Sequence, residues 1–258
     1  MATVREAGEL LESGLVLALI ALTIFGAGIV TGATALGFAQ ISAVVLALLL
    51  DARSAVIILA VIVPIISGLQ IVHHRSAGLP ARRLLPVLAG ALLGVPAGVW
   101  LLTVLPEQAI AGLVGATSLG YVATRVLRWV PTIRGDREPI VGPLAGFGGG
   151  ILNGAIGLSG PILIPYLLAL GLGPASFGYA VSVMYVAMTS VRLVGLVGTG
   201  ALVPATALLG AALLVPALVG QRLGFVLQRR LATATFERVA LASLFVGGLT
   251  LVVRAFGL

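Results

Sequence analysis

The sequence predicts an all-α polytopic membrane protein with two inverted-topology repeats, each with a broken or re-entrant helix pair and three transmembrane helices. The first reason is composition: 60% of the residues are hydrophobic and only 9% are charged, whereas a soluble domain carries about 25% charged residues. The second is that several apolar runs reach the roughly 20 residues that a transmembrane helix needs. The third is that Gly and Pro positions in the first half recur in the second half.

Ten apolar segments follow one another along the chain, and we expect them to form eight to ten helices. They cover approximately residues 14–34, 37–51, 54–73, 84–105, 108–128, 140–157, 160–173, 176–197, 202–220 and 236–256. The second and seventh segments are too short for an untilted span, because a helix rises about 1.5 Å per residue and the hydrocarbon core is about 30 Å thick. Each is therefore paired with its predecessor, either as a re-entrant hairpin or as two short tilted helices. The polar stretch MATVREAGELLESG lacks the features of a signal peptide, and we interpret it as a short amphipathic lead-in to the first helix.

Arginine supplies all the strong basic charge, since the chain contains no Lys and its formal net charge is +7. The Arg residues concentrate in three connections: Arg75, Arg82 and Arg83; Arg125, Arg128, Arg134 and Arg137; and Arg222, Arg229, Arg230 and Arg238. The positive-inside rule places these connections in the cytoplasm and the chain in a cell inner membrane. All three reach that side only if each short pair returns to the side from which it started, which puts both termini outside. Arg254 is the exception to this pattern.

An internal repeat aligns GIVTGATALGFAQISAVVLALLLDARSA, from Gly28, with GILNGAIGLSGPILIPYLLALGLGPASF, from Gly150. Gly28 and Gly32 then fall on Gly150 and Gly154, and a second match places Pro96 on Pro216. We expect repeat 1 at 1–130, a cytoplasmic linker at 131–139 and repeat 2 at 140–258, together forming one transport domain. Inverted repeats with broken helices are typical of secondary transporters, whose site lies near the membrane midplane between the repeats.

The break in the second repeat carries the chemistry of an anion site. Pro161 cannot continue a helix from Gly160 but suits the first turn of a new one, with Ser159 as its N-cap. The buried N-terminus of this half-helix offers free N–H groups and the positive end of a dipole. Asn153 and Gly157 lie in the same stretch and are candidate substrate contacts. The alternative is that the Gly residues serve only close helix packing.

The equivalent stretch of the first half, GATALGFAQISA, contributes neutral donors instead. Its candidate substrate-binding residues are Thr31, Thr34, Gly37 and Gln40, with Gly37 opposite Ser159 in the repeat alignment. Two half-helix starts that approach from opposite repeats would frame a single site.

Arg192 is a full charge inside an apolar segment, which marks it as a functional candidate. The repeat places Gln70 opposite Arg192 and Ser67 opposite Thr189, so polar residues occupy matched positions. Because the guanidinium fork binds oxyanions in a bidentate manner, we expect Arg192, Gln70 and Thr189 to contact an anionic substrate. The alternative is that Arg192 extends to the membrane surface with its stem in lipid.

Enzymatic chemistry finds little support in the sequence. The chain has no Cys, which removes thiolate metal sites and a Cys nucleophile. It shows no Ser/His/Asp arrangement and no pair of carboxylates within the apolar segments, and we interpret His73 and His74 as interface residues. We therefore expect no enzyme, metal or cofactor. The expected partners are a small anionic substrate and the lipid bilayer, without nucleic acid, and a homodimer remains open.

The stretch GPLAGFGGGILNGAIGLSGPILIPYLLALGLGPASF, residues 142–178, resembles the signature of the sulfite exporter TauE/SafE family. GLSGP departs from the family's usual Gly-Gly-Gly run, and the first half departs further, with neither a Gly triplet nor a Pro. The resemblance implies two repeats with Gly-rich breaks and transport of anions such as sulfite, sulfonates or sulfoacetate. Arg192 is inferred from its charge and does not come from this resemblance.

Together these observations predict a permease that moves a small, sulfur-containing oxyanion, with export favoured by the membrane potential. Three alternatives remain at this stage. One is a carrier for carboxylates or other small anions, another is uptake coupled to a cation, and the third is a structural or assembly subunit that transports nothing.

Overall fold

The computed structural model describes residues 2–75, 81–127, 131–133, 137–228 and 233–256, with side chains omitted at 2–13, 81 and 233–240. Within those residues the chain forms ten helices and no strand. They are α1 (Ala2–Thr34), α2 (Phe38–Leu49), α3 (Ala52–His73), α4 (Ala81–Val104), α5 (Glu107–Val126), α6 (Glu138–Ile156), α7 (Gly160–Ala169), α8 (Pro174–Gly198), α9 (Pro204–Leu227) and α10 (Thr233–Ala255). The all-α prediction and its ten segments are confirmed.

Among the described residues, seven helices are long and apolar enough to cross a membrane, which supports the polytopic class. They are α3, α4, α5, α6, α8, α9 and the part of α1 from Gly14 onward. The N-terminal stretch is not a separate lead-in, because α1 runs without interruption from Ala2. Helix α9 continues to Leu227 rather than ending near residue 220. Residues 134–136 of the expected linker 131–139 lie outside the described residues, as do Arg128, Arg229, Arg230 and the side chain of Arg238.

Two breaks interrupt the helical path, one between α1 and α2 and one between α6 and α7. Each first helix ends on a residue in the left-handed conformation, Ala35 with φ +62° and Gly157 with φ +77°. Each second helix begins three residues later, at Phe38 and Gly160, with Gly37 and Ser159 at the N-cap positions. Pro161 lies in the first turn of α7, as its fixed φ and missing N–H predict. The sequence therefore located both breaks to within a residue or two.

Glycine allows two pairs of helices to approach closely. Gly146, Gly150 and Gly154 of α6 face the backbone of α4, and a Cβ on any of them would overlap a carbonyl oxygen of α4. Gly28 and Gly32 of α1 face α9 in the same way. Such small-residue contacts stabilise helix pairs in lipid, where no hydrophobic force acts between helices. Each broken helix is thus fixed along a helix of the other half of the chain.

These backbone contacts align α4 with α9 in a different register from the one that the sequence match of Pro96 with Pro216 predicts. Gly94 faces the carbonyl of Phe147, and Gly220 faces the carbonyl of Phe25; Phe25 and Phe147 are paired by the repeat alignment. The next pair behaves alike, since Gly98 faces Ile151 and Gly224 faces Ile29. The contacts therefore relate Gly94 to Gly220 and Gly98 to Gly224, and not Pro96 to Pro216. Close backbone approach constrains these glycines, whereas Pro96 is exposed.

Candidate functional site

A small cavity of about 40 Å³ lies at the break between α1 and α2. It is lined by Thr31, Ala35, Leu36, Gly37, Phe38, Ala39, Gln40, Val63, Ile66, Ser67, Gln70, Tyr121, Gly160, Ile164, Val181, Ser182 and Tyr185. The lining comes from α1, α2, α3 and α5 of the first half and from α7 and α8 of the second. It contains hydroxyl and amide groups but no charged side chain.

The first turn of α2 presents free hydrogen-bond donors along this cavity. The first bond that closes a turn of α2 runs from the Ile41 N–H to the Gly37 carbonyl. The N–H groups of Phe38, Ala39 and Gln40 therefore have no acceptor within the helix. The buried amide nitrogen of Gln40, Nε2, also has no hydrogen-bond partner among the described residues. These groups and the positive end of the α2 dipole together favour a negatively charged ligand.

Helix α7 brings a second N-terminus to the same cavity. The N–H groups of Ile162 and Leu163 both donate to the Ser159 carbonyl, and Pro161 has none. The Gly160 N–H is the donor that remains, and Gly160 lines the cavity. Ser159 occupies the N-cap position of α7, as predicted, but its side chain makes no capping hydrogen bond.

Gln70 joins α3 to the end of α1. Its Nε2 donates a hydrogen bond of 2.6 Å to the Thr31 carbonyl, while its Oε1 is buried without a partner. Thr31 Oγ1 donates to the Leu36 carbonyl across the break. Thr34 Oγ1 bonds to the carbonyls of Val30 and Leu36 at 2.8 and 3.0 Å, and Thr34 lines a neighbouring pocket beside Arg125. Thr34 therefore holds the turn at the break and lies outside the main cavity.

Arg192 lies deep in the protein, with 1% of its surface exposed. Its Nη1 donates a hydrogen bond of 2.9 Å to the Asn153 carbonyl, in the last turn of α6. The guanidinium packs against Gly157, where a Cβ would collide with Nη1. Arg192 does not extend to the membrane surface, so that alternative is wrong. Its charge sits at the negative end of the α6 dipole, where a cation is stabilised.

Gln70 and Arg192 make the same contact in the two halves. Gln70 donates to the carbonyl of Thr31, and Arg192 donates to that of Asn153. The shift along the chain that takes residue 70 to 192 also takes residue 31 to 153, so the donors correspond in the repeat and so do the acceptors. The same two carbonyls also accept the N–H of the left-handed residue that ends each helix, Ala35 and Gly157.

Several buried polar atoms near the second break have no hydrogen-bond partner among the described residues. They are Asn153 Nδ2 and Oδ1, Ser159 Oγ, Thr189 Oγ1 and Arg192 Nε. Tyr185 lies at the edge of this group, because it lines the cavity while its hydroxyl lies next to Ser159. We refer to Asn153, Ser159, Tyr185, Thr189 and Arg192 as the Arg192 cluster.

His73 and His74 flank the first break at the end of α3. The His73 ring stacks on Phe225, with ring centroids 4.0 Å apart. Gly178 separates His74 from Ala35, since a Cβ there would lie 3.1 Å from His74 Nε2 and 3.2 Å from the Ala35 Cβ. Burial lowers the pKa of His74, and the nearby charge of His73 lowers it further. Among the described residues, no group of three or more His, Cys, Asp or Glu residues forms a metal site.

A sequence model of the sulfite exporter TauE/SafE family matches residues 20–251 of the 258. The chain belongs to this family. TauE/SafE proteins are transporters, which agrees with an apolar helical chain that holds a polar cavity. Comparison with curated proteins and with solved structures finds no match.

The predicted site residues of this TauE/SafE chain lie in three places. Five line the cavity: Thr31, Gly37, Gln40, Gln70 and Gly160. Five lie behind it at the second break: Asn153, Gly157, Ser159, Thr189 and Arg192. The eleventh, Thr34, lines the neighbouring pocket.

Sequence reasoning missed three polar residues that line the cavity of this TauE/SafE protein: Tyr121, Ser182 and Tyr185. It placed a fourth, Ser67, opposite Thr189 but did not include it among the candidate site residues. Helical spacing gives a signal for two of them, because residues 182, 185, 189 and 192 recur on one face of α8. Ser67 precedes Gln70 by three residues and shares its face of α3. Tyr121 lies on α5, and no sequence pattern connects it to the breaks.

Proposed function

We propose that the protein moves a small, sulfur-containing oxyanion such as sulfite, a sulfonate or sulfoacetate across the inner membrane through the cavity at the α1–α2 break. One observation supports this most: the N-terminal turns of α2 and α7, from different halves of the chain, line the same cavity. Buried helix N-termini bind anions through free N–H groups and the helix dipole.

The neutral lining suits transport rather than permanent retention. The anion would be held by the N–H groups of the α2 first turn, by Gly160 and by the amide of Gln40, all of which carry partial charges only. Conduction requires a site that is favourable enough to enter and weak enough to leave. Ser67 adds a hydroxyl group to the lining, whereas the Ser182 hydroxyl already donates to the Gly178 carbonyl.

Export is the favoured direction. An anion leaving a negative-inside cell gains about 2.3 kcal/mol per charge for each 100 mV. The residues that line the cavity include no Asp or Glu that would relay a proton for coupled uptake. The membrane potential alone is therefore sufficient to drive the transport that we propose.

The proposed topology has both termini outside the cell and the two halves inverted relative to each other. Its support is the clustering of Arg in three connections and the matched contacts of Gln70 with Thr31 and Arg192 with Asn153. A reporter fused after Leu258 should be detected at the outer face. Detection in the cytoplasm would contradict the inverted arrangement.

Flux into proteoliposomes tests the proposed function. Purified protein is reconstituted, and uptake of labelled sulfite, thiosulfate, an alkylsulfonate and acetate is measured with and without a potassium diffusion potential. We expect uptake of at least one sulfur oxyanion above that of empty liposomes. This uptake should increase when the interior of the liposomes is positive. Transport of acetate alone would favour a carboxylate carrier, and flux that requires a Na⁺ or proton gradient would favour coupled uptake. No flux of any anion would favour a structural subunit.

A further inference from the structure

The Arg192 cluster occupies the same positions in the second half that the cavity lining occupies in the first. The shift that relates Thr31 to Asn153 also relates Gly37 to Ser159, Val63 to Tyr185, Ser67 to Thr189 and Gln70 to Arg192. All five first-half residues line the open cavity. Of the second set only Tyr185 reaches it, and the other four are fully buried.

Packing alone does not account for the charge of Arg192. Gln70 holds the equivalent carbonyl, that of Thr31, with a neutral amide at 2.6 Å. Securing the end of α6 therefore requires a hydrogen-bond donor, which the Nη1 of Arg192 supplies, but no cation. The described residues include no carboxylate paired with Arg192. The negative end of the α6 dipole, equivalent to about half an elementary charge, compensates part of this buried positive charge. A ligand of opposite charge would compensate the rest.

The free groups of the cluster define what that ligand would be. Arg192 Nε, Asn153 Nδ2 and the Thr189 hydroxyl are donors without partners among the described residues, and the Ser159 hydroxyl lies next to that of Tyr185. A guanidinium edge with additional neutral donors matches an oxyanion, to which Arg binds in a fork. The chemistry is that of sulfite, a sulfonate or another small tetrahedral or pyramidal oxyanion.

Tyr185 and the α6–α7 break separate this group from the open cavity. The Tyr185 side chain lines the cavity on one side, and its hydroxyl contacts Ser159 on the other. Gly157 and Gly160 flank the break, and Gly157 lies directly against the guanidinium. A displacement at this break would expose the free edge of Arg192.

We propose that the Arg192 cluster is a second oxyanion site, closed in this conformation, that receives the anion when the α6–α7 break opens toward the opposite face of the membrane. The proposal rests on the proposed function, because it assigns a second position to the same substrate. The open cavity binds the anion with neutral donors, and the Arg192 cluster binds it with a charge.

Thiol labelling tests whether the cluster becomes accessible. The chain has no Cys, so single substitutions give unique labels. Ser67→Cys in the open cavity, Thr189→Cys in the cluster and Ser118→Cys are treated with a membrane-impermeant thiol reagent from each face of sealed vesicles of known orientation. Ser118 is a matched control, because it is fully buried and lies in neither break. We expect labelling of Ser67→Cys from one face, of Thr189→Cys from the opposite face, and of Ser118→Cys from neither.

Transport kinetics test whether Arg192 binds the anion. Arg192→Gln places at the second break the residue type that Gln70 provides at the first, so we expect the hydrogen bond to the Asn153 carbonyl to be retained. We expect a KM for sulfite at least tenfold higher than in the wild type, with a melting temperature within a few degrees of it. Arg222→Gln, which removes an exposed Arg, should leave the KM unchanged. If Arg192→Gln does not fold, Arg192→Lys retains the charge without the fork and should raise the KM in the same direction.

The two proposals fail in distinguishable ways. If wild-type protein moves sulfite but Thr189→Cys is labelled from neither face, the second site is overturned and the proposed function stands. An unchanged KM in a folded Arg192→Gln protein would also overturn it. If the wild type moves no anion, the proposed function fails first, whatever the labelling shows.

Discussion

Arg192 donates a hydrogen bond of 2.9 Å from Nη1 to the carbonyl of Asn153, at the end of a helix that stops inside the protein. The Asn153 carbonyl also accepts the N–H of Gly157, so the guanidinium is a second donor to it at the end of α6. A cation beside the last carbonyls of a helix is stabilised by the negative end of the helix dipole. At the end of α1, Gln70 is the second donor to the carbonyl of Thr31.

Gly157→Ala should destabilise the protein by about 2–3 kcal/mol. An L-residue at positive φ costs about 1–2 kcal/mol, and the new Cβ would displace the Arg192 guanidinium as well. Gly171→Ala isolates the first cost, since Gly171 has φ +66° with no atom within 4 Å of a new Cβ. Thermal unfolding of the detergent-purified variants gives the comparison. Equal losses in the two variants would show that the contact with Arg192 carries no energy.

Ala35→Gly should stabilise the protein by about 0.5–1 kcal/mol. Ala35 occupies the left-handed position with φ +62°, and the gain from relieving it exceeds the entropy that Gly adds to the unfolded chain. Ala123→Gly, on the exposed surface of α5, should instead cost about 1 kcal/mol. Opposite shifts of the two melting temperatures are the expected result, and shifts of the same sign would contradict the assignment of strain to Ala35.

Gly150→Ala should weaken the contact between α4 and α6 by about 1–3 kcal/mol, the usual cost of overpacking. The added methyl group would overlap the Ala91 carbonyl, which belongs to the backbone of α4 and cannot move independently. Gly224→Ala should act alike on α1 and α9, because its Cβ would meet the Ile29 carbonyl. Gly68→Ala, with no neighbour within 4 Å of a new Cβ, is the control and should be neutral or slightly stabilising. A destabilised Gly68→Ala protein would argue against this explanation.

Gln40→Glu should reduce anion flux at least tenfold, equivalent to about 1.4 kcal/mol. The substitution keeps the shape of the side chain but places a carboxylate beside the free N–H groups of the first turn of α2. That carboxylate would occupy these donors and repel the substrate. Gln108→Glu makes the same chemical change at an exposed position of α5 and should leave flux unchanged. Initial rates of anion uptake into proteoliposomes that contain equal amounts of wild-type or variant protein measure this effect.

Lowering the pH below about 6.5 should destabilise the wild type more than His74→Gln. Burial and the charge of His73 lower the pKa of His74 in the folded state, whereas in the unfolded chain it titrates near 6.5. Because the unfolded state then binds more protons, the free energy of unfolding decreases as the pH falls through this range. Melting temperatures at pH 7.5 and 5.5 measure the effect. A slope that His74→Gln does not reduce would assign the pH dependence to other groups.

Much of this protein was determined by the sequence alone. Its low charge and long apolar runs require a membrane environment, because such a chain cannot cover a surface that faces water. Local backbone chemistry then located the breaks: Pro161 cannot continue a helix, and Gly157 permits the left-handed residue that ends α6. Ala35 occupies the equivalent position without being glycine, so composition gave no sign of it.

Only the tertiary structure decided which groups meet. The apolar helices resemble one another in composition, and their register depends on where backbones approach, as Gly94 with Phe147 and Gly220 with Phe25 show. The position of Arg192 was open between the lipid surface and the interior until its contact with Asn153 placed it inside. The cavity at the first break likewise depends on helices from both halves, including Tyr121 of α5 and Gly160 of α7. Local propensities determine where a helix begins and ends, whereas a cavity depends on contacts between residues far apart in the chain.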